Sequence, residues 1–255
     1  MENIATITGP VWTGVQYFTT QIAGGHSQGP WRGLNLGEHC GDDPAHVAQN
    51  RALLRQHLPN DPHWIQQVHG TELYYASGAG AQHCAWRDAP QADAMWTNQK
   101  NTVLAILTAD CLPVVIADQD GQVVGVAHAG WRGLAAGVLQ RLFNQLQTQC
   151  DANTQWQAWV GPAISQAHFE VGPEVYDAFI QMHADLAQYF IYDKSTQHYW
   201  ADLPQIARHV LSQCHPKINV YLSQACTYAE TQNYYSYRRH NPTGRIATIA
   251  WLLEK

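Results

Sequence analysis

Unbroken apolar blocks and helically spaced apolar residues alternate along this chain. Residues 103–107, 112–117 and 123–127 are continuous apolar runs, the length and character of strands buried on both faces. Shorter apolar runs at 15–20, 64–68, 72–76, 156–160, 218–222 and 247–252 read as further strands. Helical spacing appears after Asp43-Pro44, where Asp caps and Pro opens a helix whose Val47, Ala48, Leu54 and Leu58 share a face. Leu134, Val138, Leu142 and Leu146 recur every fourth residue and predict a helix over 133–146. Two more helices are expected, one from Pro173 to about Met182 and one from the cap Asp202 to Cys214. A glycine-rich, turn-forming passage covers 24–41. Strands and helices mix without a regular βαβ beat, which predicts an α/β fold of the α+β kind around a mixed sheet. No linker or repeat divides the chain, so residues 1–255 are expected to form one domain.

Composition narrows the function. The 255 residues carry 14 Lys+Arg against 20 Asp+Glu, a net charge of −6 with only 13% charged residues. No broad phosphate-neutralising face can be built from that, so nucleic acid is not expected as a partner. No run approaches the ~18 apolar residues of a membrane span, and Met1-Glu2-Asn3-Ile4 begins no secretory signal. Six cysteines without a CxxC pair suggest free thiols in a reducing, cytoplasmic setting. Neither a GxGxxG nor a Walker loop occurs.

Three residues carry the candidate chemistry: His69 after the 64–68 run, Cys111 within Thr108-Ala-Asp-Cys-Leu-Pro, and His128 ending the 123–127 run. Such residues are usually satisfied parts of a core. If adjacent strands bring them together, two imidazoles and a thiolate suit a catalytic zinc with a fourth position open to water, whose pKa such an ion lowers to about 7. Cys111 as nucleophile with His128 as base, and no metal, fits the same residues. Whether His69 faces the same point separates the two. Asp110 is a candidate acid/base or imidazole partner. Arg132, the Arg238-Arg239 pair after a run of tyrosines, and Arg245 are candidates for holding phosphate or carboxylate through forked hydrogen bonds.

Taken in order, Thr19-Thr-Gln-Ile-Ala-Gly-Gly, Leu34-Asn-Leu-Gly-Glu-His-Cys-Gly-Asp-Asp, Gln67-Val-His-Gly, Thr108-Ala-Asp-Cys-Leu-Pro-Val, His128-Ala-Gly-Trp-Arg-Gly, Gly161-Pro-Ala-Ile, Phe169-Glu-Val-Gly, Cys226-Thr and Tyr235-Ser-Tyr-Arg-Arg resemble the YfiH/YlmD family over nearly the whole chain. That family has been labelled polyphenol oxidase (laccase domain) and is described as purine nucleoside phosphorylases with adenosine deaminase activity. The resemblance implies layered mixed sheets flanked by helices, a fold related to deamidating toxins that use a Cys–His pair. It implies zinc at His69, Cys111 and His128, with Cys111, His128 and Asp110 as the catalytic group. The implied reactions are phosphorolysis of adenosine, inosine and methylthioadenosine, and deamination of adenosine to inosine. Asn35, Arg132, Tyr235, Tyr237 and Arg238 are then the candidates for substrate contact. The expected partners are nucleosides and phosphate, for a monomer or small homo-oligomer. The family's first motif usually reads Thr-x-Arg-x-Gly-Gly, and here Gln21 stands at the arginine position.

Copper in place of zinc would give phenol oxidation as a side activity. A multicopper cluster needs paired His motifs, yet no HxH occurs, and His and Cys are adjacent only at His39-Cys40, His83-Cys84 and Cys214-His215. A metal-independent Cys–His amidase acting on cell-wall precursor peptides, and a non-catalytic small-molecule binder, are the competing readings.

Overall fold

The computed structural model describes residues 4–78, 80 and 86–254; the His83-Cys84 pair falls outside them. Two sheets lie face to face, and the apolar runs form their central strands. The first has the spatial order β1 (Thr6–Ile7), β2 (Val15–Thr20), β14 (Ile246–Leu252), β6 (Val103–Thr108) and β3 (Pro62–His63), antiparallel except at β3–β6. The second runs β13 (Ile218–Leu222), β9 (Trp156–Val160), β7 (Leu112–Asp118), β8 (Val124–Ala129), β5 (Ala94–Thr97) and β4 (Leu73–Tyr75). Its two edge pairs, β13–β9 and β4–β5, are parallel and the rest antiparallel. A small antiparallel sheet of β10 (Glu170–Val171), β12 (His198–Ala201) and β11 (Phe190–Asp193) sits apart from these.

Every residue of β6, β7, β8 and β14 is buried, because both faces of each strand are covered. Between the sheets, Tyr17, Leu104, Ile106 and Ala250 meet Met95, Val115, Val124, Val126 and Trp159. On the outer face of the first sheet, Phe18, Val103, Leu107 and Ile249 cluster with Leu34, Leu36 and Leu54, the last from α1 (Pro44–Arg55). The outer face of the second sheet presents Leu112, Val114, Ile116 and Ala127 to α3 (Val138–Gln147) and α5 (Leu203–Cys214). Burial of each large side chain here contributes roughly 1.5–3 kcal/mol. The result is a mixed α/β fold, as the hydrophobic pattern predicts, with two stacked sheets where that pattern predicts one; the layering is what the family resemblance implies.

Local chemistry explains the agreements and the departures. Asp43 accepts from the Ala45 N–H and Pro44 opens α1, while Asp202 accepts from the Gln205 N–H and caps α5. α4 spans Pro173–Met182 as expected. The helix expected over 133–146 is two, α2 (Trp131–Ala135) and α3, parted at Gly137, whose φ of +91° is left-handed and ends the first. Residues 64–68 form no strand, only an isolated bridge from Gln66 to Gln91. Instead the Gln67 side chain takes a strand's place beside β6: its Nε2 donates to the Leu107 carbonyl and its Oε1 accepts the Leu107 N–H, both at 2.8 Å. β5 and the small sheet were not expected from the sequence, since their strands have four residues or fewer. The chain crosses from the first sheet to the second between β6 and β7, and Cys111 lies on that crossing.

Candidate metal centre and its cavity

His128 occupies β8, opposite Pro113 of β7, so strand register places it one residue pair from the crossing that carries Cys111. His69 lies on the turn between β3 and β4, outside any strand, with a left-handed φ of +61°. The three come together. One ligand atom from each of His69, Cys111 and His128 lies within 4.8 Å of the others. Cys111 Sγ is 3.9 Å from His69 Nε2, and the two imidazole rings are 4.7 Å apart at 82°. Among the described residues this is the one such group of three.

A fourth residue holds the group, and the sequence reading missed it. Asp93, fully buried just before β5, accepts from His128 Nδ1 at 2.8 Å. The same carboxylate accepts the backbone N–H groups of Val68, His69 and Gly70 at 3.2, 2.9 and 2.6 Å. With Nδ1 committed, Nε2 is the nitrogen His128 has left for the site. The available signal was a lone carboxylate opening the apolar stretch Ala92-Asp-Ala-Met.

Without a metal, the electrostatics favour a thiolate–imidazolium pair. Burial disfavours the Cys111 thiolate, but the His128 charge and hydrogen bonds from both imidazoles outweigh it and pull the thiol down to about 6. Burial likewise disfavours charge on His128, yet the Cys111 thiolate and Asp93 raise it to about 9. Burial opposes the Asp93 anion too, and the His128 contact with the backbone bonds holds it below the usual range. The donor set suits a borderline-soft divalent ion. Glycine at 130 lets the backbone approach two of the donors closely: a Cβ there would come within 2.8 Å of His69 Cδ2 and 3.2 Å of Cys111 Sγ. The residues fit a metal.

The three donors face a cavity of about 420 Å³, within the range of small-molecule sites. Its wall is aromatic and cationic: Trp86, Trp131, Phe169 and Tyr237 with Arg238 and Arg245. The Arg238 guanidinium lies 5.0 Å above the Phe169 ring and donates to the Glu170 carbonyl. Arg245 donates to the Thr243 and Gly244 carbonyls. His39, stacked on Trp86, also lines it. Burial, helped by Arg245 and Arg51, lowers its pKa to about 4, so it is neutral at pH 7.

The other residues expected in the site have different placements. Asp110 lines the cavity, but Oδ1 accepts from Thr227 Oγ1, and Oδ2 from Ser236 Oγ and the Arg238 N–H. Neither Asn35 nor Tyr235 is among the residues lining the cavity. Asn35 is fully buried, donating to Asp42 and accepting from the Gly37 and Arg245 N–H groups. Tyr235 donates to the Trp31 and Arg32 carbonyls. Arg132 stacks over Trp131 at 4.3 Å and is not part of the lining. Gln21 is also outside it, and its amide donates to the Tyr234 hydroxyl.

Comparison with known proteins agrees with this architecture. Residues 16–253 match the family described as multi-copper polyphenol oxidoreductase laccase. A Shigella flexneri protein named purine nucleoside phosphorylase YfiH is 39% identical over 255 residues, spanning 99% of this chain and 100% of that protein. A Pseudomonas aeruginosa purine nucleoside phosphorylase is 40% identical over 238 residues, 93% of each chain. The crystal structure of a Neisseria meningitidis protein superposes with a TM-score of 0.87 at 36% identity, covering 99% of this chain and 100% of that one. No helix among the described residues is long and apolar enough to cross a membrane.

Proposed function

The chain belongs to the laccase-like YfiH family, and on that footing we propose that it is a zinc-dependent purine nucleoside enzyme. It joins phosphate to the ribose C1′ of adenosine, inosine or methylthioadenosine as the bond to the base breaks, and exchanges the adenosine 6-amino group for a water oxygen. The observation that carries this reading is the convergence of His69, Cys111 and His128 within 4.8 Å of one another, at the wall of a cavity lined by aromatics and arginines.

A bound ion supplies Lewis acidity there, polarising a substrate oxygen or lowering the pKa of water. The chain's own residues do the rest. Asp93 keeps His128 turned toward Cys111. Trp86, Phe169 and Tyr237 offer ring faces to a planar base. Arg238 and Arg245 provide the cationic wall for phosphate. Asp110 positions the backbone that carries Arg238, its oxygens already occupied by three donors.

Zinc rather than copper is favoured because three donors suit a single ion and, among the described residues, no methionine lines the cavity to serve as the weak axial ligand of a blue-copper site. Incubation of the pure protein with adenosine, with and without phosphate, tests the reading by product chromatography. Adenine and ribose 1-phosphate should require phosphate, inosine should not, and Cys111→Ala should abolish both. Full turnover in metal-stripped protein overturns it.

One observation favours a second reading. Asp93, His128 and Cys111 stand in the order orienter, base and nucleophile, the arrangement of a metal-free cysteine hydrolase acting on amides. That reading requires activity that survives a chelator and the change His69→Ala.

A further inference from the structure

We propose that Asp93 is the positioning residue that sets how tightly this site holds its ion, by fixing one imidazole and the backbone beneath the other with a single carboxylate. The inference rests on the metal reading above and adds the device that makes the site rigid.

The carboxylate is saturated. Oδ1 accepts from His128 Nδ1 and the His69 N–H; Oδ2 accepts from the Val68 and Gly70 N–H groups. An ionised carboxylate can only accept, so His128 Nδ1 must carry a proton and Nε2 faces the ion. The Asp93 carbonyl adds a second grip, accepting the His128 backbone N–H at 2.7 Å. On the other side, His69 has the left-handed φ of +61°, which residues other than glycine seldom adopt. Gly130 and Gly133 pack beside that turn, but side-chain burial contributes little to it. Val68 is 49% exposed and His69 is exposed as well. Three consecutive N–H groups on one buried anion hold it instead, and they determine where His69 Nε2 sits relative to Cys111.

The amide isostere exposes this role. In Asp93→Asn one end of the side chain becomes an NH₂ group facing two donors, either His128 with the His69 N–H or the Val68 and Gly70 pair. Each orientation loses one acceptor oxygen and the two hydrogen bonds it takes, and one also releases the His128 tautomer.

Zinc affinity, measured by competition with a chromophoric chelator, should fall about 10- to 100-fold in Asp93→Asn. The cobalt-substituted variant should show a weakened, shifted absorption relative to wild type. In metal-free wild-type protein, the Val68, His69 and Gly70 amides should be protected from hydrogen exchange although they lie on an exposed turn. This last measurement needs no variant to fold. Zinc affinity within twofold of wild type in Asp93→Asn, even with a lower melting temperature, overturns the inference. So do unprotected amides at 68–70. A wild-type chain that binds no zinc sinks the metal reading itself, whereas equal affinity in the two proteins sinks this inference alone.

Discussion

Two buried carboxylates serve the same cavity in different ways. Asp93 takes four donors from the turn and strand that carry the two histidines, so it organises the metal side. Asp110 takes three donors from Thr227, Ser236 and Arg238, more than 100 positions along the chain, so it organises the wall that carries Tyr237 and Arg238. Asp93 has its four acceptor sites filled, Asp110 has three filled with one left on Oδ1, and Asp110 itself has a left-handed φ of +88°. The difference lies in what each one releases when lost. Without Asp93 the ion's ligands would move; without Asp110 the ligands would stay and the substrate wall would shift. The hydrogen-bond partners of Asp110 tie it to the wall of the cavity, whereas those of Asp93 tie it to the two histidines.

The largest expected effect tests that division. Asp110→Ala leaves the Thr227 and Ser236 hydroxyls and the Arg238 N–H without their acceptor. Unsatisfied buried donors cost about 1–3 kcal/mol each before relaxation, so a net loss of about 3 kcal/mol is expected. At this chain length that lowers the melting temperature by roughly 10 °C. Calorimetry should show the loss, nucleoside KM should rise about tenfold, equivalent to ~1.4 kcal/mol, and bound zinc should stay at one per chain. An Asp110→Ala protein that loses its zinc would erase the distinction between the two acids.

Gly130 isolates the metal side with little cost to the fold. Its φ of −60° and ψ of 157° suit alanine as well as glycine, so the backbone adds no strain and the cost of Gly130→Ala is the overlap with neighbouring side chains, about 1 kcal/mol. The added methyl would press on His69 and Cys111. Zinc affinity should fall at least about tenfold, a loss of roughly 1.4 kcal/mol of binding, with the metal-free melting temperature lowered by only about 2–4 °C. Normal zinc binding in Gly130→Ala would mean that the ion does not occupy the gap between those ligands.

These two sides were not equally legible in the sequence. The strands could be read because β6, β7 and β8 are buried on both faces and need apolar runs. His69, Cys111 and His128 stood out as polar residues at the ends of such runs. Asp93 did not, because its significance lies in bonds to residues 24 and 35 positions away. Residues 64–68 look like a strand because apolar and β-branched residues flank two glutamines, but a side chain, Gln67, makes the bonds to Leu107 that a strand backbone would make. Asn35 and Tyr235 sit in motifs that draw attention, and the fold uses both to tie loops together. Composition does not reveal whether a polar side chain turns inward or toward a cavity.

A smaller effect compares Cys111 with thiols elsewhere. In metal-free protein Cys111 is pulled down to about 6, whereas burial pushes Cys150 and Cys214 up to about 11. A depressed thiol is mainly thiolate above its pKa, so alkylation of Cys111 should rise through a midpoint near pH 6, while the other two stay unlabelled at pH 7.5. Zinc should protect Cys111. Peptide mapping after a short iodoacetamide pulse reads both results, and a Cys111 midpoint near pH 9 would show that His128 does not supply the charge beside it.

The smallest effect concerns Gln21, where the family usually has arginine. A cationic residue there would matter to phosphate only if it reached the cavity, yet Gln21 is not among the residues lining it and its amide is engaged with the Tyr234 hydroxyl. The cationic lining comes from Arg238 and Arg245 instead. Gln21→Arg should therefore leave the KM for phosphate within about twofold, less than ~0.4 kcal/mol in binding. Steady-state phosphorolysis at varied phosphate checks this. A tenfold drop in KM would place the anion near the β2 end of the molecule, moving phosphate recognition away from the wall that Asp110 supports.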